Sequence, residues 1–236
     1  MTLAPNESRS ATGADRSVHA HVADGLAEIK PMLRGWLHAV TAPLAFFLFL
    51  VMLVLADDTR VRLGVAVFMT SALLLFGTSA IYHTGTWSPR RTTLLKRLDH
   101  ANIFMLIAGS STPFAILLLS EQHALTLILL MWGGAALGVL FKVFWLDAPR
   151  GVHVPLYLLL GWAPVMFAED FLDSGQHLPL VLLAVGGILY SLGALVYITK
   201  WPDPSPAYFG FHEVFHTMTI AAFGAHYVGV SILVYG

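Results

Sequence analysis

The chain has 236 residues, of which 57% are hydrophobic and only 11% are Asp, Glu, Lys or Arg, with a formal net charge of -1. Soluble domains carry roughly 25% charged residues, so this surface belongs in lipid, and a disordered chain, a coiled coil, a nucleic-acid binder and a soluble globule are excluded. There is no Cys, which removes disulfide frameworks, thiolate nucleophiles and Cys-ligated metals, yet 11 His are present.

Residues 1–30 are polar, and the stretch Met1–Gly25 carries Ser, Thr, Asp and Pro5 with no apolar core of signal-peptide length. They read as a disordered cytoplasmic tail ahead of a membrane domain over 31–236. A spanning helix needs about 20 predominantly apolar residues. Seven such runs follow, at about 36–56, 62–83, 99–119, 124–145, 152–168, 178–199 and 211–235, the fifth being the shortest. None carries Lys, Arg, Asp or Glu in its middle.

Orientation follows from Lys and Arg. With the N-terminus cytoplasmic, the tail, Lys30, Arg34, the Arg90, Arg91, Lys96, Arg97 cluster, Lys142, Arg150 and Lys200 all lie inside, and only Arg60 and Arg62 lie outside. The expected fold is an all-α, integral membrane seven-helix bundle with the N-terminus cytoplasmic and the C-terminus outside.

Ionisable groups inside a membrane are expensive and mark function by default. In this topology Ser79 and His83 end the second helix, Asp99 and His100 begin the third, and His212, Glu213 and His216 begin the seventh. All sit in one layer at the cytoplasmic side. His212 and His216 are four residues apart, which puts both imidazoles on one helical face about 6 Å apart along the axis. His83 can add a third nitrogen. Three His plus an open water position describe a catalytic zinc site. Asp99 would sit near the bound water or hold a ligand His in one tautomer, and Ser79 lies one turn from His83.

His212-Glu213-Val214-Phe215-His216 also matches H-E-x-x-H, where Glu is the base of a metalloprotease. Here the motif opens a membrane helix and Asp99 competes for that role. The alternative for Glu213 is a charge favoured by the helix dipole. A lone His near a helix end is usually interfacial, which sets aside His38, His100, His123, His153 and His177. His226 lies about 15 Å beyond His216 along its helix and is free to bond across helices. The Gly134 to Gly138 spacing reads as close helix packing. Thr112-Pro113 should loosen the third helix. The seventh helix has no Lys, which excludes a retinal Schiff base.

The ordered set Ser79-x-x-x-His83, Leu98-Asp99-His100 leading to Thr112-Pro113, and His212-x-x-x-His216 resembles the hemolysin III family. This is the bacterial branch of the progestin and adipoQ receptor superfamily, and the resemblance covers residues 30–236. It implies seven helices with a cytoplasmic N-terminus, a bacterial inner-membrane location, and Zn²⁺ held by His83, His212 and His216. It also implies Asp99 near the zinc-bound water and Ser79 at the family Ser. Receptor relatives imply a ceramidase-type amide hydrolase. The leading expectation is a zinc-dependent hydrolase of a lipid amide or ester, with membrane lipids as partners and no nucleic acid. The alternatives are a non-enzymatic membrane-homeostasis or pore-forming, cytolytic protein with a structural zinc site, and a lipid sensor. Imidazole also suits Ni, Cu and Fe, and oligomeric state is open.

Overall fold

A computed structural model describes residues 33–236. The polar stretch 1–30 lies outside the described residues. Seven apolar helices form the bundle: α1 Trp36–Leu55, α2 Thr59–Thr84, α3 Pro89–Leu118, α4 Glu121–Phe144, α5 Arg150–Asp173, α6 His177–Thr199 and α7 Phe211–Tyr235. Each is long enough to cross a bilayer, and the chain is a multi-pass integral membrane protein. Helices satisfy every backbone polar group internally, which hydrocarbon demands.

Local chemistry sets the helix ends. The Asp58 carboxylate accepts from the amides of Arg60 and Val61 at 2.6 and 3.2 Å and starts α2. The Ser120 hydroxyl accepts from the His123 amide at 3.4 Å and starts α4. Pro89 takes the first position of α3, where a missing N–H costs nothing. That helix therefore begins ten residues before the apolar run, on a polar segment that hydropathy does not register. The short fifth run becomes a full span because Ala163–Phe167 form a 3₁₀ turn between two α-helical pieces.

α3 is the central helix, with 72% of its apolar window buried against 17–44% for the other six. Lipid is as apolar as Leu, so helices associate through close packing rather than hydrophobic expulsion. The glycines of α4 show how. A Cβ on Gly138 would fall on the Phe104 ring of α3, and one on Gly134 would fall at 2.6 Å from Leu160 Cδ1 of α5. The Gly-x-x-x-Gly spacing is thus used within this chain, to seat side chains of two neighbouring helices. Phe49, Phe68, Phe76 and Phe223 fill the junction of α1, α2 and α7, with ring centres 5.0–5.9 Å apart. Pro113 leaves α3 helical to Leu118, and the Thr112 hydroxyl accepts from the Trp132 indole of α4 at 3.1 Å.

Candidate metal centre

At the end of the bundle where α2 stops and α1, α3 and α7 begin, three imidazoles converge. One ligand atom from each of His83, His212 and His216 lies within 4.8 Å of the others. Ring centres are 4.5 Å apart for His212 and His216, 5.1 Å for His83 and His212, and 5.4 Å for His83 and His216. The pair on α7 shares a face through its four-residue spacing, and α2 brings His83 alongside.

The surroundings hold these rings in place. Asn102 of α3 donates to Leu74 O and Thr78 Oγ1 of α2 at 2.9 and 3.0 Å, which locks α3 to α2 one turn from Asp99. Asp99 Oδ2 then lies 3.7 Å from His83 Nε2. This is too long for a hydrogen bond, but it puts a carboxylate beside the triad. Ser79 is 1% exposed and its hydroxyl has no hydrogen-bond partner among the described residues.

The first turn of α7 is pinned from three sides. Asp203 Oδ1 accepts from the Phe211 amide at 2.8 Å. Glu213 Oε2 accepts from the Gly210 amide at 2.8 Å, and Glu213 Oε1 accepts from Arg34 Nε at 3.0 Å. Both oxygens of Glu213, which is fully buried, are therefore committed to positioning the helix. A general base must hold an oxygen within reach of the proton it takes, and both Glu213 oxygens are engaged instead by Arg34 and Gly210.

The residues fit a metal ion. Among the described residues, His83 Nε2, His212 Nε2 and His216 Nδ1 are each buried without a hydrogen-bond partner. Buried polar groups are normally paired, and three orphaned imidazole nitrogens within so close a cluster of rings suit a divalent cation that prefers nitrogen.

His38 was set aside in the sequence because it stands alone near a helix end. It is in fact 2% exposed, stacked on His216 at 4.0 Å between ring centres and 20° between planes. The signal for it was its depth, since the start of α1 falls in the same layer as the triad. His100 and His153, also set aside, stack 6.1 Å apart. His226 does bond across helices, to Leu183 O of α6 at 3.1 Å.

A cavity of about 330 Å³ begins at the triad, touching His38, Ser79, Asp99, His212 and His216. It runs between α3, α5, α6 and α7 to Phe171 and Leu180 near the opposite end. Trp162, Val165 and Leu172 border it and are themselves 42, 57 and 59% exposed, so it communicates with the lipid-facing side between α5 and α6.

Residues 26–227 match the family described as "Haemolysin-III related". Among curated proteins, the chain is similar to the hemolysin-3 homolog of Bacillus subtilis, 34% identical over 134 residues that make up 57% of this chain and 62% of that protein. Hemolysin-3 of Bacillus cereus is 31% identical over 132 residues, 56% of this chain and 60% of the relative. The adiponectin receptor protein of Drosophila melanogaster is 27% identical over 192 residues, 74% of this chain and 43% of that protein. The matched segment thus spans about three-fifths of each Bacillus relative.

Proposed function

This chain belongs to the haemolysin-III related family within the progestin and adipoQ receptor superfamily, and from that premise we propose that it is a zinc-dependent hydrolase of a lipid amide or ester. The observation that carries the reading is the coincidence of His83, His212, His216 and Asp99 with the head of a long apolar cavity. A purely structural staple of α2 to α7 has no need of a cavity at its open side.

His83, His212 and His216 would hold the zinc. When bound, zinc lowers the pKa of its water towards about 7 and polarises a carbonyl. Asp99, 3.7 Å from His83, would hold a proton at the site and hand it to the leaving group. The Ser79 hydroxyl donates to the oxygen that gains charge. The apolar walls keep bulk water away and hold the acyl chain. The gap between α5 and α6 admits the lipid sideways. The Lys and Arg distribution favours the cytoplasmic leaflet for the site.

The test is metal analysis of the purified protein, followed by turnover of acyl amides and esters in lipid nanodiscs. Stoichiometric zinc that is lost in His212→Ala, and turnover lost in Asp99→Ala with zinc retained, support the reading. Full function without metal overturns it. The name hemolysin-3 of the Bacillus relatives favours a second reading, cytolysis. Planar-bilayer conductance that survives Asp99→Ala would support it. The walls argue against a wide pore, because water-filled lumens are lined by polar or charged rings.

A further inference from the structure

Each imidazole of the triad needs something to hold its ring in place. Metal-ligating histidines usually gain this from an outer partner that fixes the ring's orientation. Asp99 stands 3.7 Å from His83, and His38 stacks on His216 at 4.0 Å. His212 has neither kind of brace. Among the described residues it joins no ion pair, and its Nε2 has no hydrogen-bond partner.

What surrounds His212 is aromatic. The rings of Tyr197, Phe211 and Phe215 stand 6.1, 6.2 and 6.1 Å from it. Tyr197 and Phe215 also meet each other, at 5.2 Å. Phe211 and Phe215 belong to α7 itself, while Tyr197 comes from the last turn of α6.

Rings alone can slide, and one cation fixes this group. Arg150, the first residue of α5, places its guanidinium carbon 4.5 Å from the Tyr197 ring centre and 5.5 Å from that of Phe211. Its Nη1 also donates to Tyr197 O at 3.0 Å. That carbonyl belongs to the end of α6, where carbonyls lack a partner inside the helix. Among the described residues Arg150 pairs with no carboxylate. Its contacts are two π faces and one carbonyl, which a planar fork of donors suits better than an ammonium does.

We propose that Arg150 is a positioning residue of the metal centre: by clamping Tyr197 and Phe211 it holds the His212 ring, so that metal affinity depends on a helix that supplies no ligand. This rests on the reading of His83, His212 and His216 as metal ligands and not on any hydrolase activity. The sign of the effect separates the clamp from plain electrostatics. Like charges repel, so removing a cation near a divalent ion would by charge alone tighten its binding. Loss of the clamp weakens it.

The test uses the full chain in nanodiscs, well below its unfolding temperature. Zinc affinity is read by chelator competition, and site geometry by the visible absorption of bound cobalt(II). Arg150→Met keeps the stem and removes the guanidinium. It should bind zinc about 10- to 100-fold more weakly, the range for an outer partner, with an altered cobalt spectrum. Arg150→Lys keeps the charge without the fork and should fall between. Tyr197→Leu should match Arg150→Met, and Tyr197→Phe, which keeps the ring, should restore the affinity. Combining Arg150→Met with Tyr197→Leu should weaken zinc no further than either alone, because both remove one unit. The Lys and Tyr197 variants carry the test if Arg150→Met does not fold. Lys96→Met removes a cation paired with Asp147 at the same end of the bundle and should bind zinc at least as tightly as the unaltered protein. Unchanged zinc affinity and cobalt spectrum in Arg150→Met and Tyr197→Leu overturn the proposal, as does an equal loss in Lys96→Met. An unaltered protein that binds neither zinc nor cobalt overturns the metal reading and the proposal with it. Metal affinity that follows the clamp in a protein without lipid turnover supports the proposal and counts against the hydrolase.

Discussion

Glu213→Gln separates a carboxylate that positions a helix from one that moves a proton. The glutamate accepts from Arg34 Nε and from the Gly210 amide, one oxygen for each. Glutamine keeps the shape and one carbonyl oxygen, but it sets an NH₂ against one of those two donors. A hydrogen bond to a charged group contributes about 1.5–3 kcal/mol. The larger cost of breaking a buried ion pair requires both partners to be dry. Arg34 is 25% exposed and recovers solvation when its partner is neutralised, so the lower end, about 1.5 kcal/mol, is expected. Thermal unfolding in micelles measures this, and a double-mutant cycle with Arg34→Met should show coupling of about 1 kcal/mol, the scale found for residues in one network. Zinc content should stay stoichiometric, and lipid turnover should remain close to that of the unaltered protein. Unchanged stability and zinc content with turnover down by the ~10²-fold or more typical of a lost general base would make Glu213 the proton acceptor and refute the reasoning.

Asp99→Asn should keep zinc and lose about 10²–10⁴ in turnover, measured under single-turnover conditions. His216→Ala removes one of the three proposed ligands, so zinc affinity in a chelator competition should fall by more than the ~10–100-fold typical of an outer partner. His38→Phe preserves a ring against His216 and should change zinc affinity little, whereas His38→Ala frees the His216 ring and should weaken zinc about tenfold, an outer-partner effect. Gly138→Leu drives a side chain into the Phe104 ring and should destabilise the bundle by about 1–3 kcal/mol, read as a lower unfolding midpoint. Stripping zinc should lower stability by about 4 kcal/mol relative to protein held at a thousandfold excess over Kd.

Much of this was legible because membrane segments obey a narrow rule. An apolar run of sufficient length is a helix, and short connections then force alternating direction. That alternation alone brought His83, Asp99, His212 and His216 to one end. What escaped lacked a period or a partner in sequence. The polar start of α3, Pro89–Leu98, carries no hydropathy signal, although Pro89 itself favours a helix start. The 3₁₀ turn at Ala163–Phe167 extends α5 with no change in composition to announce it. His38 was discounted as a solitary histidine, because stacking on His216 depends on the rotation of α1 about its axis, which residue spacing within other helices does not specify. The commitment of Glu213 to Arg34 and Gly210 joins residues 179 and three apart. Only the shorter of those two links has a sequence signature.

The division of the triad between α2 and α7 bears on how the protein is made. Ribosomes deliver helices to the membrane in order, so His83 and Asp99 are in place long before His212 and His216 emerge. No prefix of the chain can close a three-imidazole site. A metal bound there would need both α2 and α7, and would return its binding energy only to chains that contain α7. Chains stalled or clipped before α7 would therefore lack this reinforcement and be the ones most readily opened by membrane proteases. The centre would act as a seal on the insertion of α7 as well as a place for chemistry.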